Sequence, residues 1–377
     1  MLYHNVCLEA FGYTLPNEVI TSAEIEAWLE PLYSRLRLPE GRLELMSGIR
    51  ERRFWPPGTL PSDISVLSAE RAIAAADIDR KHIGALVHGS VCRDYLEPAT
   101  ACGVHQRLGL SRRCMIYDVS NACLGIVNGM LQVANMIELG QIRAGLVVGT
   151  EGSRQLVETT IAALNRDESL TRDDIKLAMA SLTIGSASVA VLLTDRELSR
   201  TGNRLLGGVA WADTEHSDLC RSGHDEAVAD GMRPLMNTDS EALLAEGVTA
   251  ARQCFGGFLD TLGWRRDEID KTICHQVGCA HRKALFAALE LDTERDFSTL
   301  EYLGNTGSAA LPITAAIAAE RGFLRRDDNV AFLGIGSGIN VVMLGLHWQE
   351  SPVVASRGRV SPRREASLEE TRPHGAH

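Results

Sequence analysis

The chain lacks long apolar runs and lacks a segment of secretory form. No uncharged apolar stretch reaches about 18 residues, the length at which a membrane-spanning helix is expected. No N-terminal segment has the basic and then apolar composition of a signal peptide. The nine cysteines are odd in number, and several lie inside apolar runs rather than at positions that would staple loops. We therefore expect a soluble cytoplasmic protein with reduced thiols.

The chain is also short of positive charge. Lysine and arginine total 38 against 49 aspartates and glutamates, and the net charge of −11 argues against a general nucleic-acid partner. The contents of 45% hydrophobic and 23% charged residues are those of an ordinary globular protein. At 377 residues the chain is long for one simple core, so we expect two domains or two fused halves.

Apolar runs, such as 83–91 and 187–193, alternate along the chain with helical periodicities, and this favours parallel sheets covered by helices on both faces. We predict helices at 63–77, 240–262, 281–290 and 311–321. Residues 157–178, by contrast, are charged and predict irregular structure. The polar, turn-rich segment 194–203 divides the chain, so we predict an N-terminal half at 1–195 and a C-terminal half at 196–349. The composition then changes to Ser, Pro, Arg and Glu, which predicts a disordered tail at 350–377.

Cys123 stands where a predicted strand, 114–119, turns into a predicted helix. Unpaired N–H groups and the helix dipole favour negative charge at such a position, so we expect the pKa of the thiol to be lowered towards neutrality. The small neighbours Ala122 and Gly125 leave room for a substrate carbon to approach the sulfur. The pattern is typical of a nucleophile, and a buried structural cysteine is the alternative.

Three further polar residues lie at strand ends or in glycine-rich turns. His275 follows a short apolar run in ICHQVG, where a satisfied core histidine is the alternative. Asn305 lies in LGNTGSA, where a left-handed turn residue is the alternative. Ser337 lies in GIGSG, which joins two predicted strands and does not lead into a helix, so a phosphate-binding turn is disfavoured. Each of these signals is weak by itself.

Two clusters allow a ligand interpretation as well as a structural one. Six arginines between positions 35 and 53 form either a solvated, internally paired face or a loop that faces phosphate, since guanidinium groups match phosphate oxygens. Cysteines and histidines at 274–281 resemble a zinc site, but a strand at 271–277 would point Cys274 and His275 to opposite faces. No second cysteine pair has zinc-finger spacing, so we expect no bound metal.

Together, four motifs resemble those of the condensing enzymes of the thiolase superfamily, over residues 1–349: SNACLG (120–125), HQVG (275–278), GNTGSA (304–309) and GIGSG (334–338). The resemblance implies that Cys123 is the acyl-accepting nucleophile and that His275 and Asn305 are the other catalytic residues, the set of the type III ketoacyl synthases. It also implies an oxyanion hole made by the backbone N–H groups of Cys123 and Ser337. The implied fold is α/β: two similar halves in five α/β/α/β/α layers, assembled as a homodimer.

The run SVCRDYLEPATA at 90–101 resembles more closely the acyl-CoA:acyl-CoA condensing enzymes of bacterial long-chain olefin and β-lactone biosynthesis. Further matches are TEHSDLCR (214–221), GW (263–264) and LGIGSGIN (333–340). This resemblance implies that Glu97, 26 residues before Cys123, reaches the neighbouring subunit's site and takes the α-proton of the second acyl chain. Ordinary type III synthases need no base there, because loss of carbon dioxide from a malonyl group generates the carbanion. A loop carboxylate near Arg93 is the alternative interpretation of Glu97.

The resemblance therefore implies an acyltransferase that condenses two long-chain acyl-CoA molecules without decarboxylation, through an acyl-Cys123 intermediate, to a 2-alkyl-3-ketoacyl product. It implies no metal and no cofactor beyond coenzyme A as the carrier of the substrates. The implied partners are a second copy of the chain and enzymes that take the β-keto product towards an olefin or β-lactone. Two alternatives stay open: a type III ketoacyl synthase that uses a malonyl thioester, and a non-catalytic subunit that lends only Glu97 to a separate chain.

Overall fold

The strands of the protein fall into two large sets and two small pairs. The structure, a computed structural model, describes residues 1–172, 174–223, 236–350 and 352–355. Its strands are β1 Val6–Thr14, β2 Glu18–Thr21, β3 Glu51–Phe54, β4 Ile83–Gly89, β5 Met115–Val119, β6 Ala144–Glu151, β7 Ala187–Asp195, β8 Arg204–Ala212, β9 Cys220–Ser222, β10 Met236–Thr238, β11 Lys271–Cys274, β12 Asn329–Gly336, β13 Asn340–His347 and β14 Val353–Ala355.

The helices follow the strands in alternation, as the sequence predicts. They are α1 Ser22–Trp28, α2 Glu30–Leu36, α3 Arg42–Ser47, α4 Pro61–Ala76, α5 Thr100–Leu108, α6 Gly125–Glu138, α7 Arg154–Arg166, α8 Lys176–Met179, α9 Ser240–Leu262, α10 Cys279–Leu289, α11 Leu300–Leu303 and α12 Ala310–Glu320. The predicted helices at 63–77, 240–262, 281–290 and 311–321 match α4, α9, α10 and α12 to within two residues at each end.

The two large strand sets repeat one topology. The first runs β5-β4-β6-β7-β1 and the second β11-β12-β13-β8, and they meet where Cys7 pairs with Arg204. The first set begins with two parallel pairs (β5·β4, β4·β6) and the second with one (β11·β12), and in each set two antiparallel pairs follow. The sheets are therefore mixed rather than wholly parallel, because a turn as short as the one between β12 and β13 can join only antiparallel neighbours.

The layers arise because neighbouring residues of a buried strand point to opposite faces. On β4, Leu86 packs against α4 and α5 on the outside, whereas Val87 packs against α6 in the centre. On β12, Phe332 faces the centre and Leu333 faces α9 and α10. The central helices α6 and α12 are apolar on nearly every side, as a helix between two sheets must be. The five-layered α/β/α/β/α fold predicted from the resemblance is confirmed.

Two segments differ from the sequence prediction. The first part of 157–178, expected to be irregular, belongs to α7, because Val157, Ile161 and Leu164 recur at helical spacing and are buried. Within the predicted tail, Val353–Ala355 forms β14 and pairs in parallel with β1, while residues 351 and 356–377 lie outside the described ranges. No helix in the described part of the chain combines the length and the apolar content needed to cross a bilayer.

Candidate active site

Cys123 lies in a tight turn between β5 and α6. The strand ends at Val119, and the helix begins only at Gly125, so Cys123 precedes the helix instead of lying in its first turn. Ala122 holds the left-handed conformation with φ of 45°, which is uncommon for a residue with a Cβ. The Leu124 N–H donates to Asn121 O at 2.9 Å and closes the turn. The backbone thus folds sharply around the sulfur-bearing residue.

Glycines allow this turn to approach two other strands. A Cβ on Gly125 would lie 2.9 Å from the carbonyl carbon of Gly89, the last residue of β4. A Cβ on Gly336, at the end of β12, would lie 3.5 Å from the backbone N of Cys123. The Asn340 amide ties the two turns together, because Nδ2 donates to Ser337 O at 3.1 Å and to Asn121 Oδ1 at 3.3 Å. The turn that contains Ser337 is therefore held beside Cys123, as predicted.

The Cys123 thiol is held in its neutral form. Burial above all, together with the negative charge of Glu151 and the neighbouring Cys220, raises its pKa to about 12. The prediction of a lowered pKa was therefore wrong, because the side chain is removed from water and lies near a carboxylate while the helix starts two residues later. A base must accept the proton when this thiol attacks a substrate.

His275 comes directly after β11, at the carboxyl end of the second strand set. Its N–H donates to Leu333 O at 2.9 Å, and the next residue, Gln276, accepts from Ser298 Oγ at 2.7 Å. Burial, with a smaller contribution from His281, lowers the pKa of His275 to about 4, so the ring is neutral near neutral pH. Its Nδ1 has no hydrogen-bond partner among the described residues. A neutral imidazole can accept a thiol proton and can also donate an N–H.

Asn305 is fixed by three hydrogen bonds that leave its amide NH2 group unassigned. Its backbone N–H donates to Thr183 O at 3.0 Å, and its carbonyl accepts from the Gly185 N–H at 2.8 Å. Its Oδ1 accepts from the Gly307 N–H at 3.0 Å. With the oxygen engaged, the side chain presents its NH2 as a donor. That is the group needed to hold a developing oxyanion.

Glu97 lies at the exposed tip of the segment between β4 and α5. The base of this segment is anchored: Asp94 Oδ1 accepts from the Ser62 N–H at 2.9 Å, and Asp118 on β5 accepts from the Thr100 N–H at 2.7 Å. No hydrogen bond or ion pair of Glu97 occurs within the described residues. The structure therefore does not place Glu97 in the buried site of its own chain.

Three of the six arginines in the cluster at 35–53 bind groups of the protein itself. Arg52 is fully buried and donates to Ser22 Oγ at 3.0 Å and Leu182 O at 3.2 Å. Arg53 donates to Pro16 O at 2.9 Å, and Arg50 pairs with Glu301 at 3.0 Å. These three side chains are therefore committed within the protein rather than presented to phosphate.

The cysteine and histidine cluster at 274–281 is dispersed. The Cys274 thiol faces Asp296 Oδ2 at 3.4 Å, whereas the Cys279 thiol faces Met46 O at 3.9 Å. Across the described ranges, no group of three or more such side chains is placed to hold a metal ion.

Glu151 and Cys220 are site residues that the sequence analysis did not select. Glu151 ends β6, so it lies at the same sheet edge as the ends of β4 and β5. A carboxylate at the end of a buried strand is the sequence signal that could have identified Glu151. Cys220 lies on β9. No local sequence pattern indicates that this strand lies near Cys123 in the folded protein.

The comparisons with known proteins agree with the site. The C-terminal model of 3-oxoacyl-[acyl-carrier-protein] synthase III matches residues 259–348. An acyl-CoA:acyl-CoA alkyltransferase of Shewanella oneidensis is 45% identical over 351 residues, covering 92% of this chain and 100% of that protein. The protein of the same name from Xanthomonas campestris is 35% identical, with the same coverage.

Solved structures of OleA from Xanthomonas campestris share the fold. The cerulenin-bound form has a TM-score of 0.87 at 35% identity, covering 92% of this chain and 98% of that one. A cysteine-to-serine variant with bound lauric acid and lauroyl-CoA has a TM-score of 0.86 at 34% identity, covering 92% and 100%. Other solved variants alter a cysteine and a glutamate 26 positions before it, the separation of Glu97 and Cys123 here. The chain belongs to the acyl-CoA:acyl-CoA alkyltransferase family, a group of thiolase-fold acyltransferases.

Proposed function

We propose that the protein joins two long-chain acyl-CoA molecules by a non-decarboxylative Claisen condensation. The observation that carries this proposal is the placement of Cys123 and His275 just after the ends of β5 and β11 and of Asn305 in a turn bridged to Ile184, together with Glu97 on an exposed segment. A thiol, an imidazole and an amide serve acyl transfer and enolate stabilisation, whereas an additional carboxylate is needed only if a carbon acid must be deprotonated.

In the first half-reaction the Cys123 sulfur attacks the thioester carbonyl of one acyl-CoA. Neutral His275 accepts the thiol proton and returns it to the departing coenzyme A thiolate, which leaves acyl-Cys123. The backbone N–H groups of Cys123 and Ser337 hold the oxyanion, and donors of this kind contribute roughly 3–4 kcal/mol each. The neutral thiol and the neutral imidazole are the resting forms that this proton transfer requires.

In the second half-reaction Glu97 of one chain removes the α-proton of an acyl-CoA bound in the other chain's site. The N–H of His275 and the NH2 of Asn305 stabilise the enolate oxygen. The enolate carbon attacks the acyl-Cys123 carbonyl, the C–S bond breaks, and the cysteine thiolate takes up the proton that Glu97 removed. The product is a 2-alkyl-3-ketoacyl-CoA, and coenzyme A is the only carrier that the scheme needs.

The free edge of β5 supports a homodimer in which Glu97 works across the interface. Among the described residues, no strand pairs with the outer edge of β5. Four apolar side chains near this edge are between 48% and 59% exposed: Val91, Tyr95, Leu96 and Met115. An unpaired edge strand beside exposed apolar residues favours pairing with a second chain. Such pairing would cover the Glu97 segment and deliver its tip to the neighbouring site.

A reducing compartment suits this chemistry. All nine cysteines lie in the described ranges, and all have free thiols, including the buried Cys7, Cys114, Cys254 and Cys274. Free thiols persist where glutathione and thioredoxin keep them reduced, so we propose a cytoplasmic enzyme.

The proposal is tested by incubating the purified protein with myristoyl-CoA alone, without a malonyl donor. We expect sustained release of free coenzyme A thiol and a β-keto acid, or its decarboxylated ketone, that carries both chains by mass spectrometry. Glu97→Gln and Cys123→Ser should each abolish this product.

Two other outcomes would overturn the proposal. A single stoichiometric burst of thiol, with turnover only after malonyl-CoA is added, would identify a type III ketoacyl synthase. Absence of any acyl adduct on Cys123 would identify a non-catalytic partner subunit.

A further inference from the structure

Glu151 is a buried carboxylate beside Cys123 that the proposed mechanism leaves without a role. Only 5% of the residue is exposed. Its Oε1 accepts from the Val91 N–H at 3.1 Å, from the Ser308 N–H at 3.2 Å and from the Ser308 hydroxyl, and its Oε2 accepts from the Cys92 N–H at 3.4 Å. All four groups are donors, which suits an ionised carboxylate, since that group only accepts.

Two of these donors begin the segment that carries Glu97. Val91 and Cys92 leave the end of β4, and the Cys92 sulfur makes a second tie to the residue after Glu151, because it accepts from the Gly152 N–H at 3.3 Å. Ser90 adds a third tie, since its hydroxyl donates to Thr150 O at 2.8 Å. The tip of the segment is exposed, so its direction depends on this anchored base.

The other two donors belong to the turn that follows Asn305. The Gly307 N–H orients the Asn305 amide through Oδ1, and the adjacent Ser308 bonds to Glu151 through both its N–H and its hydroxyl. A Cβ on Gly307, whose φ is 56°, would lie 3.1 Å from the Glu151 carboxyl carbon, so the turn packs directly on the carboxyl group. Movement of Glu151 would therefore turn the Asn305 amide.

We propose that Glu151 is a positioning residue for the condensation, because one carboxylate holds both the base of the Glu97 segment and the turn that orients Asn305. The inference rests on the proposed function for the role of Glu97. Glu151 would then position two groups: Glu97, which acts in the neighbouring chain's site, and Asn305, which stabilises the enolate in the site of its own chain. Its charge also lies near enough to Cys123 to raise the pKa of that thiol.

The test replaces Glu151 with glutamine, which has nearly the same shape but no charge. Its NH2 group would face some of the N–H and O–H donors that now bind the carboxylate. We expect Glu151→Gln to lower kcat for myristoyl-CoA condensation about 10- to 100-fold, the effect of losing a hydrogen bond to a charged group, with little change in KM. We also expect the pH dependence of Cys123 alkylation by iodoacetamide, followed at the Cys123 peptide by mass spectrometry, to move to lower pH. The other titratable groups of the site, Cys92, Cys220 and His275, are retained in this variant. Glu151 also helps to raise the pKa of Cys92, which is why the reaction is read at the Cys123 peptide alone.

Glu9→Gln is the matched control. Glu9 is also a fully buried carboxylate and accepts from Ser199 Oγ at 2.6 Å and the Arg200 N–H at 2.9 Å, in a turn that carries no site residue. This variant should reduce stability without moving the alkylation profile. Equal losses of kcat in both variants, with an unchanged profile in Glu151→Gln, would overturn the inference.

Two further measurements keep the test decisive. If Glu151→Gln fails to fold, Ser308→Ala removes one tie and should lower kcat by a smaller factor; a wild-type kcat there overturns the inference. If the wild-type protein loads Cys123 but condenses only with malonyl-CoA, the proposed function fails on its own. Glu151 is then judged by the alkylation profile, and an unchanged profile overturns its assignment too.

Discussion

The two strand sets end differently at their outermost strands, β5 and β11. Counted outward from β1 and β8, β11 corresponds to β4, so β5 is one strand further out. Each is followed by a proposed catalytic residue, Cys123 after β5 and His275 after β11. The edge of β11 is closed by its own chain: Thr272 bridges to Asp296, and Asp296 Oδ1 accepts from the Cys274 N–H at 3.2 Å. The edge of β5 has no such cover among the described residues.

The outer edge of the second strand set is covered by residues of the same chain, whereas the outer edge of the first set is not covered within the described residues. On the inner side of β11, Leu333 of β12 holds the His275 N–H; on the closed outer edge lies the buried Asp296, whose carboxylate pairs with Arg282 at 2.6 Å. The open edge leaves Met115 and the Glu97 segment exposed. In the described part of the chain, the second set is thus closed by its own chain, whereas the first set ends in an unpaired strand, which supports the proposed catalysis across an interface.

The largest effect is expected at the closed edge. Asp296→Ala removes the partner of Arg282 and an acceptor for the Cys274 N–H, and breaking a buried ion pair costs about 3–5 kcal/mol of unfolding free energy. Urea denaturation measures this loss. Asp267→Ala, which breaks the exposed pair with Arg265, should cost less than about 1 kcal/mol. Similar losses in the two variants would show that the edge is not sealed by Asp296.

A substitution at the open edge of β5 should weaken dimer formation rather than the folding of each chain. Met115→Arg places a charge on the proposed interface, and we expect monomers by light scattering and a fall in condensation on the order of 100-fold, because Glu97 is no longer positioned. Loading of Cys123 should persist, since that step uses one chain. Leu139→Arg changes an exposed leucine at the end of α6 and should leave a dimer. A dimeric, active Met115→Arg protein would refute the proposed interface.

The two proposed catalytic residues should also differ in pH dependence. The pKa of Cys123 is raised to about 12, so its alkylation should increase about tenfold for each pH unit above neutrality, as the thiolate fraction grows. The pKa of His275 is lowered to about 4, so protonation of this ring should not limit loading until the pH falls close to that value. A plateau of alkylation near neutral pH would restore the interpretation of a thiol activated by the helix dipole.

The smallest effect is expected where the two halves are tied together. Asn340→Ala removes the hydrogen bonds that hold the Ser337 turn beside Asn121, and losing such bonds costs about 1 kcal/mol, or about fivefold in the rate of Cys123 loading. Mass spectrometry of the acyl adduct in samples quenched at successive times measures this rate. Asn165→Ala, which removes a single bond to Trp28 O on the other side of the fold, should load normally. Equal loading rates in both variants would show that the Asn340 hydrogen bonds do not contribute to the loading of Cys123.

Most of the fold was predictable because it depends on local periodicity. The apolar runs at 83–91 and 187–193 and the helical pattern at 240–262 each correspond to a described element, since burial imposes a period on the sequence. The helix at Arg154–Arg166 was missed because its charged and other polar residues outnumber its three buried apolar residues. The motifs around Cys123, His275 and Asn305 identified the family, which the relatives confirm.

The electrostatics of the site could not be predicted from local sequence. The helix start near Cys123 indicated a lowered pKa, but the outcome depends on burial and on Glu151, which is 28 positions away and approaches only in the folded sheet. The role of Arg52 was hidden for the same reason, because its acceptors are Ser22 and Leu182. Patterns in sequence locate groups, whereas their charge states depend on contacts between distant segments.

The most direct test of catalysis across the open edge is complementation between two inactive variants. Cys123→Ala retains Glu97, and Glu97→Gln retains Cys123, so neither homodimer has a complete site. Co-expressed with different affinity tags and purified as the mixed dimer, they should form one complete site and regain about half of the wild-type condensation rate per dimer, on the condition that each site works independently. A mixed dimer that forms but produces no β-keto product would show that Glu97 does not act in the neighbouring subunit.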